Sequence, residues 1–192
     1  SAAVVKSIGA PLPEQAFAIE PWQDGFIAQA SVTGATGYRL FQPIARQAEF
    51  AAALANLGIP EADAEAAKVV RLENGKPRYG EDISERYLVQ ETNQMYGVSF
   101  GKGCYIGQEI VERVRSRAQI HRLLAAFRIH TTDAPEPKTK LQADGKDVAE
   151  ITSALFSPAW NEVAALAYVR VEQLQTKPEL TVAGTPITAS FI

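Results

Sequence analysis

The chain has 192 residues, 46% of them hydrophobic and 21% charged, and a formal net charge of -3. It is long enough for one large or two small domains, and its weak negative charge gives no general attraction to nucleic acid or to a membrane surface. No apolar run approaches the roughly 20 residues of a bilayer-spanning helix. The single cysteine excludes an internal disulfide and, with no secretory signal pattern, predicts a cytoplasmic protein. It also excludes an iron–sulfur cluster held by this chain's thiolates alone, because such clusters usually take four, and we predict no metal site.

The first 60 residues read as short strands followed by a helix. Residues 17–41 contain strand-like runs, of which residues 26–32 are the clearest, and residues 34–37 predict a turn between two strands. Pro43 stands where the first residue of a helix would be, helical spacing of apolar residues follows, and Gly58 is a suitable stop.

Two more helices are predicted before the middle of the chain. Pro60 opens a helical stretch that ends near residues 72–75, whereas residues 76–101 have no periodicity. Gly107 then introduces a third helix over residues 108–117, with apolar residues at helical spacing on one face.

After His121 the pattern changes to strands. Apolar residues alternate with their neighbours in residues 123–129 and again in residues 163–171. Asp144 and Gly145 form a strong hairpin signal, and a last strand is predicted over residues 187–191. Several short strands with regular turns indicate a small barrel or sandwich.

These elements predict an α+β protein with two domains. We place an antiparallel-sheet-and-helix domain at residues 1–118 and a small C-terminal β-barrel at residues 119–192. The chain opens with Ser1 and its only methionine is Met95. We therefore expect that Ser1 is not a translation start and that the N-terminal part of the first domain is absent.

Residues 102–109, the motif segment, carry the most chemical information. Two glycines bracket a cysteine and an aromatic residue just before the third predicted helix. Glycine permits positive φ and a close approach to the backbone. A thiol near a helix N-terminus, two residues from a lysine, lies in a field that favours the thiolate. A buried structural cysteine is the alternative, since cysteine is among the most buried residue types.

The motif segment resembles the hallmark Lys-Gly-Cys-Tyr-x-Gly-Gln-Glu of the YgfZ family, with Arg113 four residues beyond it. That family is related to the glycine-cleavage T-protein, an aminomethyltransferase. Residues 71–80 resemble the Arg-x-Glu-x-Gly-x-Pro-x-x-Gly segment of the superfamily, and residues 149–157 and 164–170 resemble two strands of its C-terminal barrel. The fold that the resemblance implies is a partial T-protein-like folate-binding domain followed by that barrel.

The resemblance implies tetrahydrofolate as ligand and a role in iron–sulfur cluster assembly or repair, with effects on tRNA modification. Its implied partners are iron–sulfur proteins or their assembly factors, and an accessory factor is favoured over an enzyme. The implied reactive residues are Cys104 and Lys102. The implied folate contacts are Tyr38, Arg71, Glu73, Gly103, Tyr105, Gly107, Gln108, Glu109 and Arg113.

Aminomethyl transfer to tetrahydrofolate is the alternative function. T-proteins carry a glutamate after the second glycine of a Gly-Tyr-Thr-Gly-Glu segment, which helps to hold the pterin, whereas Gly37 is followed here by Tyr38 and Arg39. The aspartate that T-proteins use in catalysis lies outside this sequence. Both departures count against that alternative. Tyr38 and Tyr105 could still stack on a flat heterocycle.

Several charged residues have two readings. Arg71 and Glu73 could contact ligand, but a bracing salt bridge is favoured. A group of four arginines also has two interpretations; its members are Arg113, Arg115, Arg117 and Arg122. They could bind the tail of a folate or RNA phosphates. They could instead form a solvated helix face that is partly neutralised by Glu109 at i,i+4 to Arg113. The acidic overall charge makes tRNA binding the weakest of these hypotheses.

Overall fold

The computed structural model describes residues 2–117 and 119–192, without the side chains of residues 116 and 117. The chain forms two compact units, one up to Asn74 and the other from Gly75 onward. The domain boundary predicted between residues 118 and 119 stays a prediction, and Ala118 itself lies outside the described residues. Among the described residues, no helix is long and apolar enough to cross a bilayer.

The first unit contains a three-stranded antiparallel sheet in the order β1-β2-β3. Its elements are α1 (Ala2–Ser7), β1 (Ile19–Trp22), β2 (Gly25–Ala28), β3 (Arg39–Phe41), a 3₁₀ turn (Ile44–Arg46), α2 (Gln47–Asn56) and α3 (Ala64–Glu73). Trp22 and Ile27 are buried in a small core with Val5 and Ala10. The turn predicted at residues 34–37 lies between β2 and β3, with Gly34 at φ 88°.

Two boundaries in this unit differ from the sequence prediction. The strand expected over residues 26–32 ends at Ala28. The second helix begins at Ala64 and not at Pro60. The reason is a side-chain cap, since Asp63 accepts a hydrogen bond from the Ala66 N–H at 2.7 Å and satisfies one of the free donors of the first turn.

The second unit is built on a closed six-stranded barrel in the order β4-β7-β6-β5-β8-β9. Its elements are a 3₁₀ turn (Met95–Gly97), α4 (Gln108–Arg117), β4 (Arg122–Ile129), β5 (Lys140–Ala143), β6 (Lys146–Ser157), β7 (Glu162–Arg170), α5 (Val171–Thr176), β8 (Leu180–Val182) and β9 (Thr188–Phe191). Together with the sheet and helices of the first unit, this barrel confirms the α+β prediction.

The barrel follows from the alternation and turn chemistry of its sequence. Side chains such as Phe127, Ile151 and Leu180 fill its interior and are fully or almost fully buried. Asp144 and Gly145 both have positive φ, 50° and 72°, and join β5 to β6. This is the left-handed pair that a tight two-residue hairpin requires, so the hairpin prediction is confirmed.

A layer of irregular chain covers one outer face of the barrel. β7 is buried from Val163 to Val169, so both of its faces are shielded. Residues 75–101, the covering segment, contribute Asp82, whose carboxylate is fully buried and accepts a hydrogen bond from the Thr152 hydroxyl at 2.6 Å. The same segment stacks Tyr87 on Tyr168, with ring centroids 3.7 Å apart.

The covering segment also holds α4 against the barrel. The buried Gln90 donates from Nε2 to the backbone oxygen of Val111 in α4 at 2.9 Å. The next residue, Glu91, accepts a hydrogen bond at its backbone oxygen from the Leu124 N–H of β4 at 2.8 Å. Its carboxylate pairs with Arg122 at 2.7 Å. Two adjacent residues therefore tie α4 to the first strand of the barrel.

Candidate functional site

A tight turn joins the motif segment to α4. Gly107 has φ 88°, a conformation that L side chains rarely adopt. Its backbone oxygen accepts hydrogen bonds from the N–H groups of Ile110 and Val111 at 3.1 and 3.2 Å. The side chain of Gln108 accepts a hydrogen bond from the Tyr105 N–H at 3.1 Å. These bonds fix the motif segment at the N-terminal end of α4.

The motif segment and α4 border an open cavity of about 700 Å³. We call it the motif cavity; its lining is Ser99, Phe100, Lys102, Gly103, Cys104, Tyr105, Gln108, Glu109, Glu112 and Arg113. Cys104 is an exposed free cysteine. The alternative of a buried structural cysteine is therefore wrong.

Aromatic rings and charged groups of both signs line the motif cavity. The ammonium group of Lys102 lies 4.8 Å from the ring centroid of Tyr105, within reach of a cation–π interaction. Arg115, which is not part of the lining, places its guanidinium 4.4 Å from the ring centroid of Phe100 and pairs with Glu112 at 3.4 Å. The cavity thus offers flat apolar faces beside both acidic and basic groups.

The structure brings most of the predicted site residues together. Seven of them line the motif cavity, namely Lys102, Gly103, Cys104, Tyr105, Gln108, Glu109 and Arg113, and Gly107 forms its turn. Their roles toward a ligand stay predictions.

The other three predicted residues belong to the first unit. Tyr38 packs against the core that contains Trp22 and Ile27. In the last turn of α3, Arg71 is buried and Glu73 is half-buried. A role of these three residues in binding folate also stays a prediction.

The predicted arginine group divides into separate environments. Arg113 lines the motif cavity, whereas Arg122 lies on the barrel and pairs with Glu91. The side chain of Arg117 lies outside the described residues. Glu109 and Arg113 both line the motif cavity, and the partial neutralisation of Arg113 by Glu109 stays a prediction. The described members of the group, Arg113, Arg115 and Arg122, therefore have different surroundings.

Sequence reasoning missed three lining residues. Ser99 and Phe100 directly precede the motif segment, and Glu112 lies one helical turn after Gln108 and Glu109. A signal for Glu112 was present, since residues three and four apart share a helix face. Nothing in the unpatterned stretch before the motif segment marked Phe100 as part of the cavity.

Chemically, the motif cavity suits a ligand with a flat polar ring and an anionic end. Tyr105 and Phe100 can contact a ring face. The carboxylates of Glu109 and Glu112 accept hydrogen bonds from ring N–H groups, and Arg113 and Lys102 can bind a carboxylate. An exposed thiol beside such a ligand can act as a nucleophile or form a disulfide when it ionises.

Comparison with known proteins first defines the class of the barrel. Residues 122–192, from the start of β4 to the end of the chain, match the family model of the Glycine cleavage T-protein C-terminal barrel domain. The barrel seen in the structure is therefore similar to the C-terminal barrel domain of T-proteins.

Similarity beyond the barrel points to particular relatives. The chain is 23% identical over 172 residues to an Aminomethyltransferase of Thermoanaerobacter pseudethanolicus, covering 86% of this chain and 46% of the relative. It is 26% identical over 160 residues to the Aminomethyltransferase of Halothermothrix orenii, covering 81% and 44%. The chain thus spans a little under half the length of these curated relatives.

A solved structure extends the likeness to the whole chain. The glycine cleavage system aminomethyltransferase T from Bartonella henselae matches 99% of this chain and 55% of its own, with a TM-score of 0.77 and 24% identity. At that identity the likeness shows the fold alone. It confirms the predicted T-protein-like architecture for both units.

Proposed function

We propose that this protein binds tetrahydrofolate in the motif cavity. The single observation that carries the proposal is that seven predicted site residues, including Cys104 and Arg113, line one cavity. The similarity of the chain to aminomethyltransferases supports it. Folate binding is common to both functions considered below.

The residues of the motif cavity fit this ligand. Its volume of about 700 Å³ lies within the range of about 300–1,000 Å³ that holds small-molecule ligands. A folate has a flat pterin with N–H donors and a glutamate tail with two carboxylates. Tyr105 would face a ring, Glu109 would accept hydrogen bonds from N–H groups, and Arg113 would bind a carboxylate.

Aminomethyl transfer is the use of folate that the relatives favour. Under this proposal the carbon of a lipoyl-bound aminomethyl group passes to tetrahydrofolate, which becomes methylene-tetrahydrofolate, while ammonia and the dihydrolipoyl thiol are released. The likeness in sequence and fold to aminomethyltransferases supports it. The sequence at Gly37, Tyr38 and Arg39 opposes it, because no acidic residue follows the second glycine. The chain's residues would orient the ligand.

A folate-binding accessory role in iron–sulfur metabolism is the second candidate. One observation favours it, namely that Cys104 is exposed in the motif cavity. An exposed thiol can form a transient bond with a partner protein or ligate a cluster supplied by one. An effect on tRNA modification would follow from the cluster enzymes that this accessory factor supports.

Calorimetric titration of tetrahydrofolate into the 192-residue chain tests folate binding. Saturable binding is expected, and Arg113→Ala should weaken it about tenfold or more, because a charge-assisted hydrogen bond contributes about 1.5–3 kcal/mol. Arg128→Ala is the matched control, since this exposed arginine lies on β4 and contacts Trp160. Equal weakening by both variants, or the absence of saturable binding, would contradict the proposal.

A second experiment distinguishes aminomethyl transfer from the accessory role in iron–sulfur metabolism. The protein is mixed with an aminomethylated lipoyl carrier and tetrahydrofolate, and formation of methylene-tetrahydrofolate is followed. Turnover supports aminomethyl transfer. No turnover, together with loss of cluster-enzyme activity in cells that carry Cys104→Ser, supports the accessory role. If Cys104→Ser leaves both activities unchanged, the proposed role of the thiol is wrong.

A further inference from the structure

A depression on the outer face of the barrel shares no lining residue with the motif cavity. It has a volume of about 240 Å³ and lies where β4, β5, β6 and β7 meet the covering segment. Four basic side chains and two acidic ones line it; the basic ones are Arg86, Arg122, Lys140 and Arg170. We call it the basic depression.

The acidic groups at the basic depression are already engaged. Glu150 pairs with Lys140 and, at 3.4 Å, with Arg86. Hydrogen bonding to Lys140 lowers the pKa of Glu150 against the opposing effect of its burial. Asp147 accepts a hydrogen bond from the Gln142 amide at 2.8 Å. Arg122 also lowers the pKa of Glu150, more weakly than Lys140 and Arg86 do. Within residues 2–117 and 119–192, neither carboxylate forms an ion pair with Arg170.

Two arginines face each other across the β4–β7 ladder. Arg122 and Arg170 are directly opposite in register, an arrangement that is unfavourable for like charges. Glu91 compensates Arg122 through a contact of 2.7 Å. Within residues 2–117 and 119–192, Arg170 forms no ion pair. One unbalanced guanidinium thus stands at the edge of the basic depression.

Tyr168 supplies an independent observation. It is 4% exposed, lines the basic depression, and its hydroxyl has no hydrogen-bond partner in the described part of the chain. A buried hydroxyl left unpaired costs free energy, so such groups usually have a partner. Tyr168 lies two residues before Arg170 on β7, and residues two apart share a face of a strand.

The geometry points to a binding site for a phosphate group in the basic depression, formed by Arg170, Arg122 and the Tyr168 hydroxyl. Arg122 uses only some of its N–H donors in hydrogen bonds to Glu91, because a guanidinium has five of them. A phosphate group has three strong acceptor oxygens for these three donors, and its charge of about -1.5 to -2 at pH 7 exceeds that of one carboxylate beside two guanidinium groups.

The hydroxyl of Tyr168 is suited to donate to such a group. Burial raises the pKa of Tyr168 above its ordinary value, and the neighbouring Tyr87, Glu91 and Asp82 add to the shift, while Arg122 opposes it. The phenol therefore keeps its proton at neutral pH. The phosphate ligand could be the free ion or a phosphomonoester, since about 240 Å³ leaves room for a small organic group.

Titration by NMR with inorganic phosphate, and separately with glycerol 3-phosphate, tests the site. Saturable shifts are expected around Tyr168 and Arg170 at constant ionic strength in chloride. Arg170→Ala should weaken binding about tenfold or more, and Tyr168→Phe about 3- to 10-fold. Arg128→Ala should leave it unchanged. The comparison of the two ligands decides whether the free ion or an ester binds more tightly.

Three outcomes would overturn the inference. The first is the absence of saturable binding to either phosphate compound. The second is binding that Arg170→Ala and Tyr168→Phe do not weaken. The third is glutarate binding as tightly as phosphate, which would assign the site to carboxylates. Folding is not the limiting factor, because Tyr168→Phe removes only a hydroxyl without a partner in the described part of the chain and should not lower stability at pH 7.

Discussion

The glycine turn of the motif segment gives the sharpest test of how the site is built. Gly103 and Gly107 both flank Cys104, and a Cβ added at either would have no atom within 4 Å. They differ in conformation, since only Gly107 has positive φ, at 88°. Replacing each by alanine therefore isolates backbone strain from steric contact.

The expected difference can be worked from two contributions. A left-handed conformation costs an L residue about 1–2 kcal/mol. Alanine also reduces the entropy of the unfolded chain, which stabilises a compatible site by about 0.4–1 kcal/mol. The second contribution is common to both variants and cancels in their comparison. Gly107→Ala should therefore be less stable than Gly103→Ala by about 1–2 kcal/mol.

Hydrogen exchange measures this difference locally. The amides of Ile110 and Val111 donate to the Gly107 carbonyl, so they report opening of the turn. Exchange of these amides should be about 5- to 30-fold faster in Gly107→Ala than in Gly103→Ala, because each 1.4 kcal/mol corresponds to a factor of ten.

Asparagine provides the control for this test. Asparagine tolerates the left-handed region better than alanine, so Gly107→Asn should fall between Gly107→Ala and the unchanged protein. Equal exchange in Gly103→Ala and Gly107→Ala would refute the argument that strain at Gly107 sets the turn.

Three other perturbations test the fold and the basic depression. Asp82→Ala removes the buried carboxylate that accepts a hydrogen bond from the Thr152 hydroxyl. It should lower the free energy of unfolding, measured in urea, by about 2–4 kcal/mol. A loss below about 1 kcal/mol would contradict the role of Asp82 as a required buried acceptor. Gly25→Ala would drive its Cβ into the backbone oxygen of Phe41, so near-ultraviolet circular dichroism should show a disturbed sheet, and an unchanged spectrum would count against the pairing. The raised pKa of Tyr168 contributes stability that is fully present below the ordinary phenol pKa of about 10. This contribution is lost as the pH rises through the pKa that Tyr168 has in the folded protein. In thermal melts above pH 10, Tyr168→Phe should therefore lose less stability than the unchanged protein. Parallel pH profiles of the two proteins would exclude the pKa shift.

The barrel could be predicted from sequence because its signals are local. Alternating apolar residues mark β4 and β7, and Asp144 with Gly145 marks the β5–β6 hairpin. The short helices α1 and α5 were missed, because six residues carry too little periodicity to identify a helix. The beginning of α3 was misplaced because Pro60 competed with Asp63 as a start signal, and the side chain of Asp63 decides the outcome.

The covering segment could not be predicted, because its order comes from contacts distant in sequence. Asp82 finds its hydroxyl partners on β6, and Tyr87 finds its stacking partner on β7. Neither residue stands in a periodic pattern. The candidate site was easier, since its chemistry lies in one octapeptide and the following helix, and the resemblance of that octapeptide to a family motif grouped Cys104 with Arg113.

The contacts of the covering segment also explain how a short helix can hold a site. α4 has ten residues, and an isolated helix of that length is marginal in water. Among the described apolar residues of this helix, only Val114 is buried, and Ile110 is exposed. The hydrogen bond from Gln90 to Val111 and the attachment of Glu91 to β4 therefore supply much of its support. The position of the motif cavity thus depends on the barrel. The barrel would therefore support a ligand bound there even though none of its strands contributes a side chain to the cavity lining.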